Sequence, residues 1–190
     1  MSTSNTRFSR RTALAWLSAL LPVACAAAAG VARASAMDAY QASGHWVDDH
    51  ARPFRLESLH GRPAIVTMAY GACRRVCSTS LRVMERIQGL CDAQHLAANF
   101  VVFGLDPMED TPRDWADFRA FRKLDRANWQ FLTADEHAVS EMAGRLGVHF
   151  WRYGEHVMHD FRILLMSPDG RIEHAMTAYD DDPSAMLPSH

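Results

Sequence analysis

The most constraining feature of the sequence is a short apolar run followed at once by two cysteines and a helical pattern. The run spans residues 64–70, between Pro63 and Gly71, and predicts a buried strand. Cys73 and Cys77 come next. Beyond them, apolar residues recur at helical spacing, namely Leu81, Met84, Ile87, Leu90 and Cys91. The two thiols are therefore predicted to lie where a strand passes into a helix.

This position favours reactive thiols. If the helix begins at or near Cys73, a spacing of four places both sulfurs on one face, one turn apart. The positive end of the helix, with Arg74 and Arg75, then favours thiolate over thiol. Such a pair can close a disulfide or hold a soft metal ion. A structural disulfide is the plainer alternative, and Cys91, on the apolar helix face, is expected to be buried and inert.

The first 36 residues have the layout of an export signal. A twin-arginine pair at residues 10–11 precedes an apolar run at residues 13–29, and an Ala-x-Ala cleavage signal ends at Ala36. We expect residues 1–36 to be an export signal of the twin-arginine type, or an N-terminal membrane anchor if uncleaved. A mitochondrial transit peptide would be amphipathic, whereas this run is apolar all round. Lipidation of Cys25 stays open, because a loose lipoprotein box precedes it.

The remaining chain is predicted to form one domain over residues 37–178, followed by an acidic flexible tail at residues 179–190. A chain of 190 residues, 48% apolar, is long enough for a single domain with a core. Four of the 20 basic side chains lie in the leader, which has no acid, so the remaining 16 face 22 acids, a net charge of −6. This acidic balance argues against nucleic acid as a partner.

Strands and helices alternate along this domain. Strands are predicted at residues 99–105, 129–132, 161–166 and 171–176, the last two joined by a tight turn with Gly170 in the left-handed conformation. A weak edge hairpin is expected around residues 46–56. Residues 148–153 are expected to run extended into a loop at Gly154.

Two further helices have clear start signals. One begins with Thr111 as its N-cap and Pro112 in the first turn. It carries an apolar stripe expected in the core, made of Trp115, Phe118, Phe121 and Leu124. The other opens at Asp135 and stops at Gly147. The pattern predicts a three-layer α/β domain, with helices on both faces of a central mixed sheet. A strand followed by a cysteine-bearing helix is typical of the thioredoxin-like fold.

One of the ten histidines, His159, is singled out by its position. It comes just before the predicted strand at residues 161–166. In a thioredoxin-like sheet, the loop entering that strand faces the N-terminus of the cysteine helix. A neutral imidazole there could complete a site with Cys73 and Cys77, and two thiolates with one imidazole suit copper, especially Cu(I), and also zinc.

Four blocks of the sequence occur in order across residues 44–176. They are Gly61-Arg62-Pro63 with its strand, residues 69–77 with Cys-x-x-x-Cys, residues 106–112 reading Asp-Pro-Met-Glu-Asp-Thr-Pro, and residues 156–159 before an apolar strand. Together these blocks resemble the SCO/SenC family of copper-binding proteins. The third block is similar to the family's Asp-Pro-x-x-Asp-Thr-Pro signature. Arg74 and Arg75 stand where the family often has a proline and an acid, so the chain resembles a divergent member.

The resemblance implies a thioredoxin-like fold that binds copper, as Cu(I) or Cu(II), through Cys73, Cys77 and His159. It implies a role in delivering copper to, or reducing the cysteines of, a respiratory enzyme such as cytochrome c oxidase. The first interpretation is a metallochaperone that assists copper-site assembly, and a thiol–disulfide reductase activity stays open beside it. The implied partners are the copper-receiving subunit and other copper chaperones. Asp106 is a candidate for supporting the site without binding the metal.

The implied location is the periplasm of a Gram-negative bacterium, where the protein is soluble or held at the membrane through an uncleaved leader or a lipid. The alternative function is enzymatic. A thiol–disulfide oxidoreductase would use Cys73 and Cys77 as its catalytic redox pair. A peroxidase-like thiol enzyme ranks below both, because the Pro-x-x-x-Thr-x-x-Cys arrangement of peroxiredoxins is absent from the sequence.

Overall fold

The structure is a computed structural model that describes residues 38–71, 76–154 and 156–189, without the side chains of residues 76–78. The predicted leader and Cys73 lie outside these ranges. The described strands are β1 Trp46–Asp48, β2 Pro53–Phe54, β3 Ala64–Ala69, β4 Asn99–Gly104, β5 Trp129–Thr133, β6 Phe150–Tyr153, β7 His156–His159, β8 Ile163–Met166 and β9 Ile172–Met176. The α-helices are α1 Val76–Ala93, α2 Pro112–Arg122 and α3 Glu136–Leu146; short 3₁₀ helices span Ala39–Gln41, Leu56–Leu59 and Pro183–Met186.

Seven strands form a mixed sheet in the order β2-β1-β5-β4-β3-β8-β9. The three central strands β3, β4 and β5 are parallel, and the outer pairings are antiparallel. Their parallel arrangement follows from the sequence, because β3 and β4 are each followed by a helix that returns the chain to the same end of the sheet. Strand β3 is buried along its whole length, as its apolar run predicts.

Helices cover both faces of this sheet. On one face, Trp129 of β5 donates its indole N–H to Gln88 of α1 at 3.1 Å, and Trp115 of α2 packs on Phe131 with ring centroids 5.3 Å apart. On the other face, Phe103 packs edge-on against Trp46. Ala138 of α3 packs closely against Gly44, where any side chain would clash with it. These contacts confirm the predicted three-layer fold.

The helix caps form as their sequences predict. Thr111 and Asp114 make a capping box at the start of α2, and the Asp135 side chain accepts the Ala138 N–H at the start of α3. Gly147 ends α3 in the left-handed conformation, at φ +66°.

The prediction that the apolar stripe of α2 lies in the core is wrong for the C-terminal part of the helix. Trp115 is buried and Phe118 is half-buried, but Phe121 is 84% exposed, and Leu124 is buried only beyond the end of the helix. Steps of three residues turn the side chain back by about 60° each on a helix of 3.6 residues per turn. Two such steps therefore carry Phe121 about 120° away from Trp115 and out of the core.

The end of the chain is packed, which corrects the expectation of a flexible tail at residues 179–190. Pro183–Met186 form a 3₁₀ helix whose first turn is capped by Asp182, and Met186 is fully buried in the core. The Tyr179 ring also packs on Phe161, with centroids 4.3 Å apart. Asp181 and Asp182, which indicated a solvated tail, instead accept backbone N–H groups, and Met186 packs in the core.

The loop expected around Gly154 is a hairpin. Strands β6 and β7 pair in antiparallel register as a separate two-stranded sheet. Sequence analysis missed β7, which is only four residues long and ends at His159. Within residues 38–71, 76–154 and 156–189, no helix combines the length and apolar composition needed to span a bilayer.

Candidate metal centre

The three predicted metal ligands differ in how far the structure describes them. Cys73 lies outside the described residues, and Cys77 lies in the first turns of α1 with its side chain undescribed. The His159 side chain is described. Among residues 38–71, 76–154 and 156–189, no three His, Cys, Asp or Glu side chains are grouped closely enough to hold a metal ion. Because the predicted set includes Cys73, that set stays a prediction.

His159 is the last residue of β7 and is half-buried. Its Nδ1 lies 2.8 Å from the backbone oxygen of Asp160. A carbonyl oxygen can only accept, so Nδ1 carries the proton in this contact, and a neutral ring held in this way has its lone pair on Nε2. A metal-binding histidine is usually held in this way, with one ring nitrogen donating to a backbone or carboxylate oxygen.

The His159 ring lies beside the chain that leads into the cysteine segment. Tyr70 follows β3 and precedes Cys73 by three residues; its ring meets the His159 ring edge-on, with centroids 6.5 Å apart. Nearby, the Thr67 hydroxyl donates to the backbone oxygen of Arg162 at 2.7 Å. These contacts hold the end of β3 against the segment that enters β8. His159 and the entry to the cysteine segment therefore lie together at the end of the sheet where β3 terminates.

A buried carboxylate, that of Asp110, holds the backbone at the entry to the cysteine segment. Asp110 is fully buried and accepts the backbone N–H of Gly71 at 2.6 Å and that of Asp106 at 2.9 Å. Burial raises the pKa of Asp110 from its ordinary value of 3.8 to about 7. Gly71 is two residues before Cys73, so Asp110 positions the backbone from which the cysteine segment starts.

Close approach around Asp110 depends on a glycine in β4. A Cβ atom at Gly104 would lie 3.1 Å from both the Asp110 Cβ and the Trp115 Nε1. Any larger residue there would push the carboxylate away from the Gly71 N–H. Sequence reasoning did not single out Asp110. The available signal was the second aspartate of the Asp-Pro-x-x-Asp-Thr-Pro block, but its contact with Gly71 spans 39 residues.

Asp106, expected to support the site without binding the metal, joins two elements of it. Its side chain is almost fully buried and accepts two hydrogen bonds from the Arg152 guanidinium, at 2.8 and 3.2 Å. It also accepts the Met108 N–H at 3.2 Å. Arg152 belongs to β6, which pairs with the strand that carries His159. This ion pair therefore ties the His159 hairpin to the turn after β4.

Three segments thus converge where β3 and β4 end. They are the entry to the cysteine segment, the turn at residues 106–110 and the β6–β7 hairpin. The carboxyl ends of parallel strands are the usual place for a ligand site in an open α/β sheet. Cys91 lies at the other end of α1, is fully buried as predicted, and has its thiol pKa raised by burial.

The sequence model of the SCO1/SenC family matches residues 33–188 of this chain. The chain belongs to the SCO1/SenC family. The match covers the whole domain described above, including residues 106–112 and the β6–β7 hairpin, and it confirms the resemblance drawn from the sequence blocks.

Two curated SCO1/SenC-like relatives are similar over part of their length. A candidate copper-binding protein from Stutzerimonas stutzeri is 29% identical over 132 residues, which are 66% of this chain and 63% of the relative. A SCO1 protein homolog from Bacillus subtilis is 26% identical over 121 residues, 62% of this chain and 63% of the relative. The chain thus spans just under two thirds of the length of these relatives.

Solved structures of SCO1/SenC proteins share the fold. A family lipoprotein from Bacillus anthracis has a TM-score of 0.67 at 21% identity and covers 75% of this chain and 89% of its own. Arabidopsis thaliana ScoI with copper bound has a TM-score of 0.66 at 17% identity, covering 75% and 90%. BsSco, described with a disulfide switch and as a member of a family of cytochrome c oxidase assembly proteins, has a TM-score of 0.63 at 24% identity, covering 77% and 91%. These matches confirm the thioredoxin-like prediction at the level of the fold.

Proposed function

We propose that this protein is a copper-binding metallochaperone that holds the ion through Cys73, Cys77 and His159. The observation that supports this most is the contact between the His159 and Tyr70 rings, three residues before Cys73. The copper-bound Arabidopsis structure and the relative named for copper binding support the choice of metal. Soft thiolates with an imidazole suit copper better than harder cations.

A three-ligand site suits transfer of the ion. Each thiol releases its proton as the metal binds, and His159 binds through Nε2 while Nδ1 stays on the Asp160 carbonyl. An incoming thiolate of the receiving protein can then bond to copper before a chain ligand leaves. The oxidation state of copper does not change in this exchange.

We further propose that the ion is delivered to the copper-receiving subunit of a respiratory enzyme such as cytochrome c oxidase, and that other copper chaperones supply it. The description of BsSco as a member of a family of oxidase assembly proteins supports this partner. The leader layout supports delivery in the periplasm of a Gram-negative bacterium, and the Bacillus anthracis lipoprotein supports an extracytoplasmic, membrane-attached form.

The direct test is an anaerobic titration of the reduced full chain with Cu(I) against a competing chelator. We expect His159→Ala to lower the affinity of the tightest site on the order of 100-fold, because a ligand is removed. His174→Ala, an exposed histidine on β9, is the matched control and should change nothing. Closing Cys73 and Cys77 into a disulfide should abolish this site, since a disulfide offers no thiolate. An unchanged affinity in His159→Ala would refute the ligand set.

The second candidate is a thiol–disulfide oxidoreductase, favoured by the thioredoxin-like fold and by the disulfide switch described for BsSco. In this function the reduced pair gives two electrons and two protons to a client disulfide and itself becomes a disulfide. His159→Ala should leave this cycling intact. Rapid reduction of a client disulfide by both wild type and His159→Ala, with no tight copper binding by either, would favour the enzyme over the chaperone.

A further inference from the structure

The β6–β7 hairpin has two faces of different character. Residues that alternate along a strand point to opposite faces. On the inner face, Val157 is buried, Arg152 pairs with Asp106, and His159 meets Tyr70. The outer face is exposed and carries Trp151, Tyr153, His156 and Met158.

The outer face is built from two cross-strand pairs. Trp151 lies directly opposite Met158, and Tyr153 lies directly opposite His156. Side chains in such pairs have Cβ atoms about 4.5–5.5 Å apart. His156 and Met158 are two residues apart in β7, so their Cα atoms are separated by about 7 Å on the same face. An imidazole and a thioether at this spacing can both reach one ion between them.

The side chains on the outer face are exposed to solvent over much of their surface. Trp151 is 53% exposed, Tyr153 is 74% exposed and Met158 is 43% exposed. The contacts that attach the hairpin to the domain come from the inner face. The outer side chains are therefore available for chemistry.

The donor atoms select a class of ligand. A thioether sulfur is a poor ligand for hard cations, and together with an imidazole it suits a soft monovalent ion such as Cu(I) or Ag(I). An indole ring attracts a cation to its face, so Trp151, opposite Met158, is placed to cover the ion.

We propose that the outer face of the β6–β7 hairpin is a second, open site for a soft monovalent metal ion, with His156 and Met158 as ligands and Trp151 covering the ion. This site shares no ligand with the one under Proposed function and needs no thiolate. It binds the ion whether Cys73 and Cys77 are reduced, oxidised or replaced.

The test uses the full chain with Cys25→Ser, Cys73→Ser and Cys77→Ser, which removes the thiol site and leaves the fully buried Cys91 as the remaining cysteine. Titration with Ag(I) against a weak competing chelator should show one equivalent bound. His156→Gln and Met158→Leu should each lower this affinity by about tenfold or more. His174→Gln and Met108→Leu, an exposed histidine on β9 and a methionine that is 79% exposed, are matched controls and should leave it unchanged.

Fluorescence gives an independent readout of the same site. Trp46, Trp115 and Trp129 are buried, whereas Trp151 is half exposed. Ag(I) should quench emission in this cysteine-to-serine variant, and Trp151→Phe should remove the quenching while leaving emission from the other tryptophans.

Three outcomes would overturn the proposal. The first is a cysteine-to-serine variant that binds no Ag(I), and the second is binding that survives both His156→Gln and Met158→Leu. The third is a hairpin variant that binds metal normally but loses a partner protein, because the face would then be a docking surface. None of these outcomes bears on Cys73, so the thiol site is judged separately by the His159→Ala titration.

Discussion

The turn at residues 106–110 and the outer face of the β6–β7 hairpin adjoin the same candidate site but differ in how their side chains are used. In the turn, both aspartates point inward and accept backbone or guanidinium hydrogens. On the outer face, two aromatic rings, a histidine and a methionine are exposed. The Arg152–Asp106 ion pair connects the two regions.

The difference separates residues that build the site from residues that can meet a ligand. The two buried aspartates of the turn, Asp106 and Asp110, already have their hydrogen-bonding capacity engaged inside the protein, so their loss should lower stability. The outer-face side chains are partly or largely exposed, so conservative substitutions there should change stability little while altering binding. Substitutions in the two regions therefore test this division, and we order them by expected effect.

The largest effect is expected from Asp110→Ala. This change leaves the buried N–H groups of Gly71 and Asp106 without their acceptor, which should lower the free energy of unfolding by roughly 3–5 kcal/mol. Urea unfolding of the reduced protein measures it. Glu109→Ala, an exposed neighbour in the same turn, should cost less than about 0.5 kcal/mol. An equal decrease in the free energy of unfolding in the two variants would show that Asp110 has no special role in stability.

Asp110 should also make stability depend on pH. Its pKa is about 7 in the folded protein and 3.8 is its ordinary value, so the folded state holds the proton more tightly than the unfolded state. Its contribution to stability is therefore fully present below pH 3.8 and is lost as pH rises to about 7. The loss is on the order of 4 kcal/mol.

Asp110→Asn removes this titration and keeps the shape of the side chain. The stability of Asp110→Asn relative to wild type should rise between about pH 4 and 7 and stay level above that. Urea unfolding of both proteins across this range measures the difference. A difference that does not vary with pH would show that the Asp110 carboxyl titrates normally.

A smaller effect is expected from Arg152→Gln. The change leaves the buried Asp106 carboxylate with a weaker partner and should lower the free energy of unfolding by about 1–3 kcal/mol. Because His159 lies on the same hairpin, we also expect about tenfold weaker copper binding. Arg113→Gln is the matched control, because Arg113 is exposed and its distance of 4.0 Å to Asp117 is long for an ion pair. Unchanged copper affinity in Arg152→Gln would show that the Arg152–Asp106 ion pair does not position the metal site.

The smallest effect on stability is expected on the outer face. Met158→Leu should change the free energy of unfolding by less than about 0.5 kcal/mol, because the side chain is exposed. Its neighbour Val157 is buried on the inner face, and Val157→Ala should cost roughly 2 kcal/mol. Thermal unfolding of both variants compares the two faces of one strand. A larger loss in Met158→Leu would reverse the assignment of the faces.

Local signals in the sequence predicted much of this structure. The apolar run of β3 and the caps at Thr111 and Asp135 were confirmed, because their causes lie within a few residues. Strand β7 was missed, since four residues alternating between exposed and buried resemble a loop.

Long-range contacts were harder to predict. The burial of Met186 and the bond from Gly71 to Asp110 depend on residues far away in the chain. The sequence predicted that His159 lies just before β8 and faces the start of the cysteine helix; in the structure it ends β7 and its ring lies beside Tyr70. The contact with the Tyr70 ring was not predicted.

The central claim is that His159 and the two cysteines bind one copper ion. X-ray absorption of the reduced, copper-loaded full chain tests it most directly, in a His156→Gln/Met158→Leu background that removes the hairpin ligands. The account predicts two sulfur neighbours and one imidazole nitrogen, and His159→Ala should remove the imidazole signal. An imidazole signal that persists in His159→Ala, or a copper site with sulfur neighbours alone in the parent chain, would contradict it.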